Sequence, residues 1–299
     1  MPATARGVIQ WTRIAVHRAA VRRQLQAVLD GRSETVDVDL ADTGIDLAAL
    51  IRSVAGVPRP TSLPHQRLAA AFHRSRVSDL VVDQLGAKAA EKRVQSARIA
   101  GMLAMEQTVT LLSPLLSAKE PAVRNAAARA LGRIGGTRSA ETLLQAMRRR
   151  GPSRTLVVEL ARAAPDLFLE VALCAPQRVG IKPALAVAAG LRRHHAAVVP
   201  LLALLDSGSR RERAASCRAL GWIGARSAAP SLADSLKDTD WRVRISAAKA
   251  LLRLGEDAYV TDLEALISDQ DQRVRKVALA VHRGLYSPRS RGVWGWSWR

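Results

Sequence analysis

The residues best suited to chemistry are few. Two histidines adjoin in LRRHHAAVV, His194 and His195, and two cysteines occur, Cys174 and Cys217. Consecutive residues on a helix point about 100° apart, and no carboxylate lies nearby in the sequence, so the histidines are expected to be a surface pair rather than metal ligands. Cysteines without a CxxC pattern support neither a disulfide framework nor a zinc site. The sequence contains no P-loop, no dinucleotide fingerprint after a strand and no GxSxG nucleophile elbow. The chain is therefore read as non-enzymatic, with no catalytic residue, cofactor, metal or small-molecule substrate expected.

A second group suits anion binding. Arg98, Arg129 with Arg133, Arg218 with Trp222, and Lys249 with Arg253 occupy two recurrent positions four residues apart. On a helix such positions share one face, and they lie well away from the apolar stripe, so solvation is expected. Only Glu159 brings the opposite sign to these columns. A row of cations with one aromatic is a candidate partner-binding stripe for an acidic ligand; a merely solvated, Arg-rich face is the competing reading.

A repeat of about 31 residues places this stripe. Arg93 and Arg124 are 31 residues apart, as are Arg213, Arg244 and Arg275 in succession. Two degenerate units anchored near Arg154, in PSRTLVVELARAAPD, and Lys182, in IKPALAVAAGLRR, fill the interval and bring the total to seven. Eight residues after the anchors stand Gly101, Gly132, Gly190 and Gly221. Glycine inside a helix costs about 1 kcal/mol relative to Ala, so its recurrence predicts close approach of a neighbouring helix. Gly135, Gly224 and Gly255, eleven after the anchors, fit left-handed helix ends. Val243, Ala247, Ala250, Leu251 and Leu254 form one apolar stripe at helical spacing. Partner helices precede it in segments such as VVPLLALLD and APSLADSL. Pairs of this kind cannot bury their apolar faces alone and must stack into a solenoid.

The pattern LxxLLxD…VRxxAAxALGxxG resembles HEAT repeats, particularly the short bacterial kind also found in phycobilisome lyases, over roughly residues 88–285. The resemblance implies an all-α fold: an α-solenoid, a right-handed superhelix of about seven helical hairpins with an N-terminal helical extension. It also implies that the second helix of each hairpin lines the concave surface, where the basic stripe would form a groove. Arg242 and Arg244 follow the N-cap candidate Asp240 in the first turn of their helix, where cations are unfavourable unless answered. The resemblance supplies an answer, because an acidic residue of the inter-helix turn typically pairs with a basic residue of a neighbouring unit. Arg93, Arg124, Arg213, Arg244 and Arg275, with Asp238, Asp240, Asp269 and Asp271, are accordingly read as a structural ladder. The iron-dependent deoxyhypusine hydroxylases of this family bind metal through His-Glu pairs, and no His-Glu dipeptide occurs in this chain. Alkylpurine DNA glycosylases built from HEAT-like repeats place Trp, Asp and Arg in the concavity; Trp222 and Arg218 match, but the stripe holds no Asp. A phycobilin-lyase activity would rest on repeat similarity alone.

Composition sets the remaining bounds. The chain has 299 residues and 48% hydrophobic content, but aromatics are only 3%, so a core of Ala, Leu, Val and Ile is expected. Lys and Arg number 46 against 26 Asp and Glu, a formal net charge of +20. This excess favours acidic partners, although a GC-rich coding sequence would also produce it. No apolar stretch reaches the roughly 18 residues of a membrane span, and no secretory h-region follows the N-terminus, so a soluble cytoplasmic protein is expected. Residues 1–60 are read as a basic amphipathic helix with an acidic loop and a linker, 61–285 as the solenoid and 286–299 as a Trp/Arg-rich tail. The N-terminal helix, with Ile9, Val16, Ala20, Val28 and Leu29 on one side, is expected to cap the solenoid, a peripheral anionic membrane contact being the alternative. The expected function is that of a scaffold or adaptor binding an acidic or extended protein segment. Binding of a nucleic-acid backbone is the alternative, with glycosylase chemistry as its extreme.

Overall fold

A computed structural model describes residues 3–37, 46–56, 62–255 and 259–282, with side chains from residue 15 to residue 280. Among the described residues all regular structure is helical. The Trp-rich tail, with Trp294, Trp296 and Trp298, lies outside them, as do Ile9 and Arg13 as side chains. The chain divides into two compact units, residues 1–143 and 144–299.

The first unit opens with α1 (Ala3–Leu29), α2 (Leu47–Ala55), α3 (Leu63–Arg74) and α4 (Val77–Leu85). Val21, Leu25 and Val28 of α1, at i, i+4 and i+7, are buried against Leu50 and Ile51 of α2 and Leu68 and Phe72 of α3. The buried face of α1 therefore differs from the one expected: Val28 belongs to it, but Val16 is exposed and Ala20 only half-buried. Arg18, Arg22 and Arg23 point to solvent. Arg67 of α3 fastens the end of α1 by donating from Nη1 to the Leu29 carbonyl at 2.7 Å. Helix α2 has no counterpart in the sequence reading, because LAALIRSVA is too short to show a period. Its N-cap Asp46 accepts from the Ala49 N–H at 2.9 Å, satisfying one free donor of the first turn.

From α5 (Ala90–Met102) onward the 31-residue rhythm appears as hairpins. In the first unit α6 (Val109–Leu115) precedes α7 (Pro121–Ile134), and α7 packs along α5. Helix α8 (Gly136–Arg150) carries the chain into the second unit. There follow α9 (Arg154–Ala163), α10 (Asp166–Cys174), α11 (Ile181–Arg192), α12 (Val198–Ser207), α13 (Arg210–Ile223), α14 (Ala229–Asp234), α15 (Trp241–Leu254), α16 (Val260–Ala265) and α17 (Gln272–His282). The second helices pack in succession, α9 on α11, α11 on α13, α13 on α15 and α15 on α17. The last four are each backed by their own first helix, α10 behind α11, α12 behind α13, α14 behind α15 and α16 behind α17. The architecture is an α-solenoid of helical hairpins, and the two degenerate units at Arg154 and Lys182 are full members of it.

The interior glycines are there for contact. A Cβ built on Gly221 would lie 2.7 Å from the Ala250 Cα, and one on Gly101 would lie 2.6 Å from the Ala130 Cα. At Gly190 the Ala219 Cα and the Trp222 Cε3 would each be 2.8 Å away. Backbones of successive second helices thus touch where glycine meets alanine, and neither helix can accept a larger side chain there without moving.

Candidate functional site

Ion pairs link the turns of the second unit. Arg244 is almost fully buried; its Nε and Nη2 donate to both Asp269 carboxylate oxygens at 2.7 and 2.8 Å. Its Nη1 also donates to the Asp238 carbonyl at 2.7 Å and the Thr239 carbonyl at 3.2 Å. Arg213 forms the same fork with Asp238, at 2.7 and 2.9 Å, while its Nη1 reaches the Gly208 carbonyl at 2.9 Å. The hydrogen bonds from Arg244 hold the Asp269 carboxyl below its usual pKa and raise that of Arg244. For Asp238, desolvation pushes the other way, but the bonds from Arg213 and the Asp240 N–H outweigh it and the pKa falls.

Asp240 and Asp271, grouped with these acids by sequence, do a different job. They are helix caps: Asp240 accepts from the Arg242 N–H and Asp271 from the Arg273 N–H, each at 2.8 Å. Arg275 donates to carbonyls, those of Asp269 at 2.6 Å and Gln270 at 3.1 Å. In the first unit Arg124 likewise donates to the Ala118 and Lys119 carbonyls at 2.9 and 2.6 Å. Arg93 faces Glu120 at a looser 3.3 Å.

The second helices carry the basic columns. Arg98, Arg129 and Arg218 are exposed, whereas Arg133, Trp222, Lys249 and Arg253 are half-buried, which is less solvation than their helical angle suggests. Arg98 is partnered across the first unit by the α2 cap, with Nη1 3.5 Å from Asp46 Oδ2. That acid stands outside the repeat, so column counting could not reveal it. Glu159 is buried and accepts from Arg162 Nη1 at 2.6 Å.

In the second unit Arg218 of α13 bears on Lys249 of α15. Desolvation draws the Lys249 pKa below its usual value, and the charge of Arg218 lowers it further. Arg218 is also pulled down by desolvation, although its side chain retains solvent contact.

Two features escaped the sequence reading. His194 is buried, not a surface group: its Nε2 lies 2.8 Å from Glu170 Oε1 and its Nδ1 lies 3.6 Å from Asp166 Oδ1. Those carboxylates are more than twenty residues away in sequence but adjacent through α10, and Arg192 Nη2 joins Asp166 at 2.7 Å. His195 is exposed as expected. Trp241, at the start of α15, has two guanidinium groups over its ring, with Arg242 Cζ 4.4 Å and Arg273 Cζ 3.5 Å from the centroid. Among the described residues no group of three or more His, Cys, Asp or Glu side chains is arranged to hold a metal ion, and no helix is long and apolar enough to cross a membrane.

The family model for HEAT repeats matches residues 78–161 and 198–281. The chain belongs to the HEAT-repeat family. Comparison with curated proteins gives no match. Among solved structures, the CpcE and CpcF complex of phycocyanin lyase from Nostoc sp. PCC7120 is similar at 23% identity, covering 68% of this chain and 74% of that one, with a TM-score of 0.33. Human deoxyhypusine hydroxylase in complex with glycerol is similar at 20% identity, covering 90% and 96%, with a TM-score of 0.35. An engineered protein is similar at 19% identity over 88% and 89%, with a TM-score of 0.35. Likenesses of this degree carry no argument about activity.

Proposed function

We propose that this HEAT-repeat protein is a non-catalytic scaffold that binds an acidic, extended segment of a protein partner through the basic columns of its second helices. The observation that supports this most is that the packed helices α13 and α15 carry Arg218 and Lys249, where the charge of Arg218 adds to desolvation in lowering the Lys249 pKa. Cations on two adjoining helices attract an acidic segment laid across both. Trp222, one turn after Arg218, adds an amphipathic surface of the kind enriched at interfaces. Arg129 and Arg133 are the equivalent cations of α7 in the first unit. Arg98, paired with Asp46, contributes least.

The test is affinity purification from lysate with and without nuclease, followed by the Arg129→Glu, Arg218→Glu, Lys249→Glu triple variant. A protein partner should survive nuclease and moderate salt, and the folded triple variant should lose it. Retention by a variant with an unchanged melt would refute the reading. Loss on nuclease treatment, with steep log-linear salt dependence, would replace it with nucleic-acid binding.

A further inference from the structure

Helix α10 turns an apolar side to solvent. Leu167, Val171 and Cys174, at i, i+4 and i+7, are all exposed, the two aliphatic side chains at 70% and 59%. Leu169, Ala172 and Leu173 fill its buried side. Val199, at the start of α12, which packs on α10, is 74% exposed, and Val179, in the loop after α10, is 98% exposed. Solvent-facing aliphatics gathered on adjoining elements mark an interaction surface. Cations stand at both ends of the stripe. Beyond its C-terminal end Arg148 Nη2 donates to Gln177 at 3.0 Å and Arg178 Nη1 donates to the Arg148 carbonyl at 2.9 Å. These bonds set the exposed Arg149 and Arg150 of α8 beside the loop that carries Val179. At the start of α10, Arg192 Nη2 holds Asp166 at 2.7 Å, and the exposed Arg193 follows it in the chain. Both carboxylates of α10 are answered, Asp166 by Arg192 and Glu170 by His194. Arg149, Arg150, Arg178 and Arg193 form no ion pair among the described residues.

We infer a second interaction surface, separate from the basic columns: the outer face of α10 and the loop after it lie on an anionic lipid surface. Leu167, Val171 and Val179 enter the headgroup region, and Arg149, Arg150, Arg178 and Arg193 meet the lipid phosphates. A helix that rests in the plane of a membrane interface needs this arrangement, an apolar face with a cationic rim. Acidic headgroups attract the rim, and the aliphatic side chains leave water. A second copy of the chain fits poorly, because its own arginines would confront these. Nucleic acid would set the aliphatics against a polar backbone without an exposed aromatic on which to stack a base. A peptide helix seeks a groove, whereas Leu167 and Val179 stand out from the surface.

The full chain carries its own reporter, since Cys174 sits on the stripe while Cys217 is buried. The protein is sedimented with phosphatidylcholine vesicles that contain or lack phosphatidylglycerol, and modification of Cys174 by a polar maleimide is timed by mass spectrometry. Phosphatidylglycerol vesicles should carry the protein down and slow that modification by about fivefold or more, and salt should reverse both effects. Phosphatidylcholine alone should do neither. Arg149→Gln with Arg150→Gln should weaken vesicle binding by about tenfold or more, each charge counting for about fivefold. Leu167→Ser with Val171→Ser should weaken it comparably and restore the reactivity of Cys174, with unchanged melts showing that both variants fold. Sedimentation with Cys174 still reacting at its free rate would overturn the assignment and move the contact elsewhere, to the basic N-terminal helix for example. Failure of the wild type to sediment with anionic vesicles would remove it. Slowing that grows with protein concentration in the absence of lipid would give the face to a second copy. Slowing by polyglutamate as strong as that by vesicles would give it to an acidic protein.

Discussion

Replacing Arg244 with alanine should be among the most damaging single changes in the second unit. The guanidinium makes a two-pronged bond to Asp269 with both side chains 6% exposed, and it caps two carbonyls of the preceding turn. Deleting one member of a buried pair typically costs about 3–5 kcal/mol, because the partner charge is left in a poorly solvated place. Asp269 would keep its bond from the Asp271 N–H at 2.7 Å, which argues for the lower end. The freed carbonyls lie at a turn where water can reach them, so they add little. About 3 kcal/mol corresponds to a melting shift of roughly 6–12 °C for a body of this size. Repeat proteins can unfold in parts, so the shift belongs to the transition that carries the second unit. The assay is thermal and urea unfolding followed by circular dichroism for the wild type, Arg244→Ala, Asp269→Ala and the double variant. The singles should each destabilise, and the double should be less than additive by at least about 1 kcal/mol. A melt of Arg244→Ala within about 2 °C of wild type, or strict additivity, would show that the pair carries no such stabilisation.

Other outcomes follow from the same contacts. Gly221→Ala should destabilise by about 1–2 kcal/mol in urea unfolding, the overpacking against Ala250 exceeding the gain in helix propensity. Acid should weaken the second unit: the Asp238 and Asp269 pKa values are depressed in the folded state, so their stabilisation is complete above the unfolded value near 3.8 and is lost as pH falls through the folded values. Melting temperature should therefore fall steeply below about pH 4, and Asp269→Asn should flatten that fall. Exposed Cys174 should react at once with a thiol reagent, whereas Cys217, buried and with its pKa pushed up to about 12 by desolvation, should react only as the second unit opens. Rapid modification of both in the native protein would contradict that burial. His194→Ala should lower the melting temperature, because it strips Glu170 of its 2.8 Å partner; an unchanged melt would count against that bond.

The fold was legible because repetition multiplies weak signals. One VRxxAAxALGxxG stretch is an ordinary amphipathic helix, but recurrence every 31 residues showed that Gly221 and its equivalents needed a common cause, and the backbone contacts at Ala130, Ala219 and Ala250 supply it. Elements that do not recur were the ones misread. Helix α2 is only nine residues long, and the inward face of α1 depends on where α2 and α3 dock, which a moment along one helix cannot show. His194 looked solitary for the same reason: its carboxylates come from α10, and proximity through space leaves no trace in local spacing.

The cationic columns were legible as positions but not as environments. Counting residues placed Arg98 and Arg218 in one column, yet the first meets Asp46 from outside the repeat while the charge of the second helps lower the Lys249 pKa. The difference arises from packing. Small residues at the α13–α15 seam let the backbones touch, and Lys249 on the adjoining turn lies where the charge of Arg218 lowers its pKa. In an isolated helix an arginine and a lysine 31 residues apart would be screened and indifferent to each other. Stacking brings the charge of Arg218 to bear on Lys249 across the seam. Widening this seam, as Gly221→Ala should do, therefore weakens the core and relaxes the cations together. The two effects separate by ligand: an acidic peptide should stabilise the wild type more than the widened variant, and equal stabilisation of both would detach the basic columns from the glycine contact.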